Sequence, residues 1–378
     1  MTMHVMAVFG HVMIFIYAQM RMRDMYIDEI FHVAQGIRYC EGVVAWDPKI
    51  TTPPGLYYAV MICRLPCTLH GMRVLSLLVN IVKSCFMPWW LVFLPIQHIY
   101  QNLFYTDLLS ELLVVLAFQS ISLSMKYAWL LVIGLGTASV FVRQTNLVFL
   151  LYCTMIYIAR KHPSPNGCIA AIKHFVKALM TEWHVMSVLL GILGGFLYYV
   201  IQHGIVQGDH ENHVVSFHLP QLLYFSITCM GLFGVQHFPT VRLVALSTLL
   251  SFVAVHCFTI HHPFVLSDNR HISFYVWKAF YRDMTVYKEL AYSIVYGMSL
   301  SCLWVNVVDE WIPKIGFFLS LCLVLVPSLL FEFRYFIPHL SLYGLMYGKW
   351  NRWTRMTIIG LNVFIYGVWW WHPAHIIW

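Results

Sequence analysis

The chain has 378 residues, of which 60% are hydrophobic and only 10% charged, with a formal net charge of +7 and a mean hydropathy of +0.71. Soluble globular domains carry roughly 25% charged residues, so this composition excludes an ordinary water-soluble fold and points to a polytopic membrane protein. The positive charge is dispersed, without the basic, aromatic-studded patch that nucleic-acid binding needs; membrane lipid is the expected partner and nucleic acid is not.

A spanning helix takes about 20 mainly apolar residues. On that measure about 12 or 13 spans are expected, in one all-α integral membrane domain covering 1–378. The first apolar run, 3–20, ends near Arg21 and Arg23. It has neither a basic n-region nor an A-x-A site, so it reads as an uncleaved span. Residues 54–66 are apolar but broken by Arg64 and Pro66, which suits a re-entrant or interfacial helix better than a span. Residues 21–70 therefore read as a large first loop carrying interfacial helices. Spans are predicted at 72–88, 89–105, 108–124, 127–142 and 146–159. After the polar segment 160–182 they resume at 183–203, 220–238, 241–260, 288–308, 314–332, 336–348 and 355–371. Trp369–Trp371 and Trp378 read as an interfacial aromatic belt.

The ten cysteines are scattered, with Cys63 and Cys67 the nearest pair and no C-x2-C zinc spacing. They read as apolar thiols packed inside spans. Adjacent His261 and His262 make a poor metal site, because neighbouring side chains rarely face one ion; no metal and no cofactor are expected.

Sidedness follows from the basic residues. With 160–182 cytoplasmic, alternation places Lys126, Arg242, Lys314, Lys349, Arg352 and Arg355 on the same side, in short polar turns. The opposite side collects 21–55, Arg143, 204–219, 261–287 and Glu332–Arg334. The arginines there break the positive-inside pattern, which an acidic partner such as a phosphate would explain.

The polar islands on that side share a composition: YIDEIFH, WDPKITTPPG, FYTDLLSE, VRQTN, GDHENH, HHPFVLSDNRH and EFRYF. Residues 28–55 alone hold four of the chain's 16 acids. Carboxylates and amides suit sugar hydroxyls, aromatics suit the apolar face of a ring, and arginines suit phosphate. Charges at the edge of a membrane bundle are costly and mark functional positions. Simpler readings exist for each: Asp28 and Glu29 as a dipole-favoured acidic pair at a helix start, Arg143 as a snorkelling side chain. Glu332 and Arg334 stand two apart and do not face each other on a helix; they need a short extended segment or partners elsewhere.

Taken together, DEIFHVAQGIRYCEG, WDPKITTPPGLY, NLFYTDLLS, FVRQTN, GDHENHVVSFHLPQLLYF, LSDNRHISFYVWK and EFRYFIP resemble, in order, the dolichyl-phosphate-glucose α-1,2-glucosyltransferases of the endoplasmic reticulum. The resemblance runs from about residue 26 to 338. The chain departs from that family in lacking a cytoplasmic loop before LVFLPIQHIYQNLFYT, and in carrying Leu108 and Leu109 after Asp107.

The resemblance implies a GT-C type helical bundle in the endoplasmic reticulum membrane, with its active site at the lumenal face. It implies a dolichyl-phosphate-glucose donor and a diglucosylated dolichyl-diphosphate oligosaccharide acceptor. An α-1,2 product from a β-linked donor implies inversion, and a carboxylate base to take the acceptor proton. Asp28 is the first choice, then Glu29, then Asp47. Arg143, Arg270, Arg334 and His271 are expected at the donor phosphate. Asp107, Gln144, Asp209, Asp268 and Asn269 are expected at sugar hydroxyls. No D-x-D motif occurs, in keeping with a donor that needs no nucleotide-chelating metal. The competing readings are a related dolichyl-phosphate-sugar transferase and a non-enzymatic transporter or channel-associated protein. Transporters often show internal repeats, and none is visible here.

Overall fold

The computed structural model describes residues 2–98, 100–211, 213–261, 272–307 and 309–371. Among them there are helices and turns and no strand. Two compact units form: Met1–Val92 with Tyr100–Asn212 and Glu310–Ser320, and Phe93–Ile99 with His213–Asp309 and Leu321–Trp378.

The first unit begins with α1 (Thr2–Arg21), α2 (Glu29–Cys40), α3 (Gly55–Ile62) and α4 (Leu69–Phe86). It continues through the single turn α5 (Trp89–Val92) to α6 (Thr106–Ser120), α7 (Ala128–Val142) and α8 (Asn146–Lys161). It closes with α9 (Cys168–Thr181) and α10 (Trp183–His203). In the second unit lie α11 (Pro220–Phe233), α12 (Val241–Phe258), the short α13 (Ile272–Val276) and α14 (Val286–Asn306). Helix α15 (Trp311–Leu325) contributes to both units, and α16 (Ile337–Met346) and α17 (Arg352–Trp371) belong to the second. By length and composition α4, α10 and α12 are able to cross a membrane; α7, α11 and α15 are shorter apolar helices.

Side-chain contacts set the direction of each helix in the first unit. His4 of α1 reaches the Ser84 carbonyl at 2.6 Å, while Met22 just past α1 receives Arg73 at 2.5 Å, so α1 and α4 run antiparallel. Ser76 meets the Leu103 carbonyl at 2.5 Å and Gln119 meets the Phe86 carbonyl at 3.3 Å, so α4 and α6 run parallel. The chain must therefore return across the unit between Met87 and Tyr105. The continuous span predicted at 89–105 is absent. The intervening chain consists of α5, two 3-10 turns (Pro95–Gln97, which belongs to the second unit, and Tyr100–Asn102) and extended links. Pro88 and Pro95 explain the break, since proline lacks an N–H and clashes inside a helix.

Irregular backbone in a membrane protein must have its polar groups satisfied by protein. A polar stripe on α4 does this: Ser76 donates to Leu103, Asn80 donates to the Gln101 carbonyl at 3.0 Å, and Gln101 donates to Val92 at 2.8 Å. Further along the stripe Lys83 pairs with Glu111 of α6 at 2.6 Å, both fully buried.

The first loop folds onto the near ends of α4 and α6. Helix α2 buries Glu29, His32, Val33, Gly36 and Tyr39, a 3.6-residue periodicity. Val33, Tyr57 and Val60 join Met72, Leu75, Phe104 and Leu108 in one buried cluster. Each such side chain contributes about 1.5–3 kcal/mol on burial. Gly36 permits the approach, because a Cβ there would stand 2.8 Å from Met72 Cε. Cys40 at the end of α2 is bonded to Cys67 before α4. This corrects the reading of the cysteines as packed thiols: these two staple the first loop.

In the second unit α12 and α14 pack closely at Gly297, where a Cβ would lie 2.5 Å from Thr248 Cα. Asn306 accepts from the N–H groups of Gln236 and His237 at 2.8 and 2.9 Å and fixes the turn before α12.

Candidate active site

Arginine 73 organises the first loop. Its Nε donates to Glu29 Oε1 at 2.9 Å and its Nη2 to Oε2 at 2.5 Å; Nη1 and Nη2 also donate to the carbonyls of Met22 and Asp24. Both side chains are fully buried. Glu29 further accepts from the backbone N–H groups of Tyr26 at 3.0 Å and Phe104 at 2.8 Å. Glu29, expected as a second choice of base, thus has both oxygens taken up in holding the loop. Arg73 was not singled out from the sequence, although a lone arginine in an apolar run is a recognised signal.

Asp28, its neighbour, is half-buried at the N-cap of α2 without a side-chain capping bond. Ile27 before it has φ +50°, a strained setting for a β-branched residue of the kind that clusters at functional sites. The turn sends the Asp28 N–H to the Tyr105 hydroxyl at 2.9 Å. One helical turn on, His32 shares a 2.8 Å hydrogen bond with the Tyr57 hydroxyl and packs its ring 5.9 Å from that of Tyr105. Burial, Tyr39 and the charge of Asp47 push the Tyr57 phenol well above its ordinary value, so it stays protonated. Asp47 is half-buried, and its Oδ1 accepts from the Lys49 N–H at 2.9 Å. Its own N–H donates to Gln35 at 3.0 Å. His32, Tyr57 and Tyr105 are further candidate residues beside Asp28; His32 lies within the quoted DEIFH motif.

Three other polar islands of the first unit reach the same loop. Arg143, just past α7, pairs with Asp107 in the first turn of α6. Asn146, which opens α8, donates to Ser110 at 2.7 Å and to the Ser139 carbonyl at 2.8 Å, locking α6, α7 and α8 around that pair. The Thr51 carbonyl accepts from Gln144 Nε2 at 2.9 Å and from the Gln207 N–H at 3.2 Å. The Asp209 N–H, at φ +46°, donates to the Pro48 carbonyl at 2.8 Å. Gly208 is required here, since a Cβ would fall 2.3 Å from that carbonyl oxygen. Asp28, Asp47, Asp107, Arg143, Gln144 and Asp209 thus stand at one end of the first unit. Arg160 and Lys161 stand at the other end, where α8 finishes.

In the second unit Arg334 pairs with Glu332. Glu332 is extended (φ −139°, ψ 132°) and Arg334 lies in the 3-10 turn Phe333–Phe336, the non-helical geometry their spacing required. An aromatic cavity of about 410 Å³ lies in this unit, lined by Tyr224, Trp277, Tyr281, Tyr296 and Phe331, with His218 at its wall. Burial lowers the His218 imidazole to about 4, against hydrogen bonding to the 328–329 backbone. Asp268, Asn269, Arg270 and His271 lie outside the described residues. Among the described residues no three histidine, cysteine or acidic side chains are grouped to hold a metal ion.

Comparison with known proteins supplies the context. The model of the DIE2/ALG10 family matches residues 22–345. Three similar relatives are each named Dol-P-Glc:Glc(2)Man(9)GlcNAc(2)-PP-Dol alpha-1,2-glucosyltransferase. The Drosophila melanogaster protein is 31% identical, over 85% of this chain and 83% of its own. The Debaryomyces hansenii protein is 27% identical, over 91% and 86%. A Homo sapiens protein is 29% identical, over 86% and 84%. No solved structure matches the chain.

Proposed function

The chain belongs to the DIE2/ALG10 family, and from that premise we propose that it transfers glucose in α-1,2 linkage from dolichyl-phosphate-glucose to the diglucosylated dolichyl-diphosphate oligosaccharide. The observation that carries the site assignment is the gathering of four polar islands, from the first loop, α6, the α7–α8 turn and the 204–211 loop, at one end of the first unit.

The reaction is a single inverting displacement. The acceptor 2-hydroxyl oxygen forms a bond to the glucose anomeric carbon as the bond from that carbon to phosphate oxygen breaks. The electron pair leaves on dolichyl phosphate and the proton passes to a carboxylate. Asp28 is the base, with Asp47 as the alternative; the half-buried setting of Asp28 beside Tyr105, at the end of the first unit where the polar islands meet, supports that role. Arg143, positioned by Asp107, receives the charge that develops on the leaving phosphate; the family resemblance assigns the same role to Arg334, Arg270 and His271. Asp107, Gln144 and Asp209 are placed to meet sugar hydroxyls at the end of the first unit, and the family resemblance assigns the same role to Asp268 and Asn269. The aromatic cavity of the second unit offers an apolar place for lipid chain.

The protein is a multi-pass protein of the endoplasmic reticulum membrane with a lumenal site, and its many apolar segments form one integral membrane domain. Two features support the sidedness. The Cys40–Cys67 disulfide lies at the site end of the first unit, and disulfides belong to oxidising compartments. Arg160, Lys161, Lys173 and Lys177 lie beyond the other end, as cytoplasmic basic residues do. The test is incubation of the purified protein with dolichyl-phosphate-glucose and the diglucosylated lipid-linked acceptor. The reading requires a triglucosylated product bearing a new α-1,2 bond; no product, or another linkage, rejects it.

A further inference from the structure

Buried polar atoms are nearly always hydrogen-bonded, and each that is not costs about 1–3 kcal/mol. Four buried oxygens in one neighbourhood of the first unit have no donor among the described residues: Thr52 Oγ1, Asp107 Oδ2, Gln144 Oε1 and Gln207 Oε1. They come from four separate stretches of chain. Gln144 and Gln207 both hold the Thr51 carbonyl, at 2.9 Å through a side-chain nitrogen and at 3.2 Å through a backbone N–H. Thr52 is the next residue, and Asp107 is held through its other oxygen by Arg143, which precedes Gln144. The orientation of the Gln144 amide is fixed: a carbonyl accepts only, so the nitrogen faces Thr51 and the oxygen faces away.

We propose that these four oxygens form a subsite that reads the hydroxyls of one hexose ring, which adds Thr52 and Gln207 to the binding residues. Three of the four are carboxylate or amide oxygens and can only accept; the fourth, a hydroxyl, can also accept. Their complement is a ligand with several O–H donors set closely together, which a pyranose supplies. A phosphate brings acceptor oxygens and is disfavoured there. A cation is disfavoured too, because the one carboxylate of the set is already balanced by Arg143. A ring lacking one of the matched hydroxyls leaves an oxygen buried and unmet, so the subsite discriminates by hydroxyl pattern.

This inference rests on the glucosyltransfer reading, and product formation by the wild-type protein checks that reading separately. The variants are Thr52→Val and Gln207→Leu in the full chain, with KM measured for donor and acceptor in turn. The expected result is a rise of about tenfold in one of the two KM values, kcat changing less, with Thr52→Ser returning to the wild-type value. A rise in acceptor KM assigns the ring to the acceptor glucose and a rise in donor KM to the donor glucose. Both KM values within twofold of wild type in both variants overturn the subsite and leave the oxygens to water. Should either variant fail to fold, the wild-type protein carries the test with deoxyglucose-terminated acceptors and deoxyglucosyl donors. At least one deoxy position must then cost tenfold in kcat/KM, and a flat series overturns the proposal. Loss of activity in chelator, restored by a divalent cation, would also overturn it in favour of a metal site.

Discussion

Glu29 and Arg73 are joined by two parallel hydrogen bonds of 2.9 and 2.5 Å between fully buried side chains, while the neighbouring Asp28 is half-buried at the start of the helix. Two adjacent acids thus have separate tasks. Removing one partner of a buried ion pair costs about 3–5 kcal/mol, since the other charge is left unmatched. Glu29→Gln and Arg73→Leu are therefore expected to lower folded yield and thermal stability in detergent sharply, before any question of rate arises. Asp28→Asn is expected to elute and melt like wild type. Size-exclusion profiles and melting curves of the three variants make the comparison, and a stable Glu29→Gln protein would place the loop's anchor elsewhere.

Part of this division is readable in the sequence. Glu29, Val33 and Gly36 recur at the helical period, which turns Glu29 toward the apolar face of α2 and leaves Asp28 at its start. The charge deficit of the chain made the helical membrane class plain, and four of the polar islands meet at one end of the first unit. Three things were hidden. Apolarity reports membrane depth and not helical continuity, so 89–105 read as a span although Pro88 and Pro95 break it. Cys40 and Cys67 stand 27 residues apart, and spacing alone does not pair cysteines. The hydrogen bonds of Gln144 and Gln207 to Thr51 depend on three distant segments meeting, which no local pattern encodes.

The Cys40–Cys67 bond closes a loop of 27 residues, for which loop-closure entropy gives about 3–4 kcal/mol. Cys40→Ser, Cys67→Ser and the double variant are expected to lose similar stability, because each removes the same bond. Thermal unfolding checks this, together with thiol alkylation before and after reduction. Additive losses, or full alkylation of the unreduced wild type at both positions, would contradict the bond.

Arg143→Glu places a like charge against Asp107 and removes a donor for the leaving phosphate. A hydrogen bond to a charged group is worth about 1.5–3 kcal/mol, so donor KM is expected to rise roughly 10- to 100-fold. Initial rates over a range of dolichyl-phosphate-glucose concentration give the number. An unchanged donor KM would move the phosphate away from Arg143.

Burial holds His218 neutral with a value lowered to about 4, against an ordinary 6.5. Below pH 6.5 the unfolded chain binds more protons at this position than the folded one, so stability rises with pH there. Its contribution is complete above about pH 6.5 and is lost progressively as pH falls toward 4, by about 2 kcal/mol at pH 5. Melting temperatures from pH 7.5 to 4.5 are expected to fall more steeply for wild type than for His218→Asn. Parallel curves would show that His218 does not carry the dependence.

Near the lower end of that range a second group acts. Burial alone would raise the Glu182 carboxyl, but hydrogen bonds and charge from Lys161 and His162 outweigh it and hold it below its ordinary value. Its stabilisation of the α8–α10 end is present above the ordinary carboxylate range and disappears as pH drops through its lowered value. Glu182→Gln is expected to remove that acid-limb dependence; an unaltered acid limb in the variant would contradict it.

The most direct measurement is the transfer rate of purified Asp28→Asn with saturating dolichyl-phosphate-glucose and diglucosylated lipid-linked acceptor. With Asp28 as the base, kcat falls by about 10²- to 10⁴-fold while the melting temperature and donor KM stay near wild type. A rate within a few-fold of wild type would show that another group takes the acceptor proton.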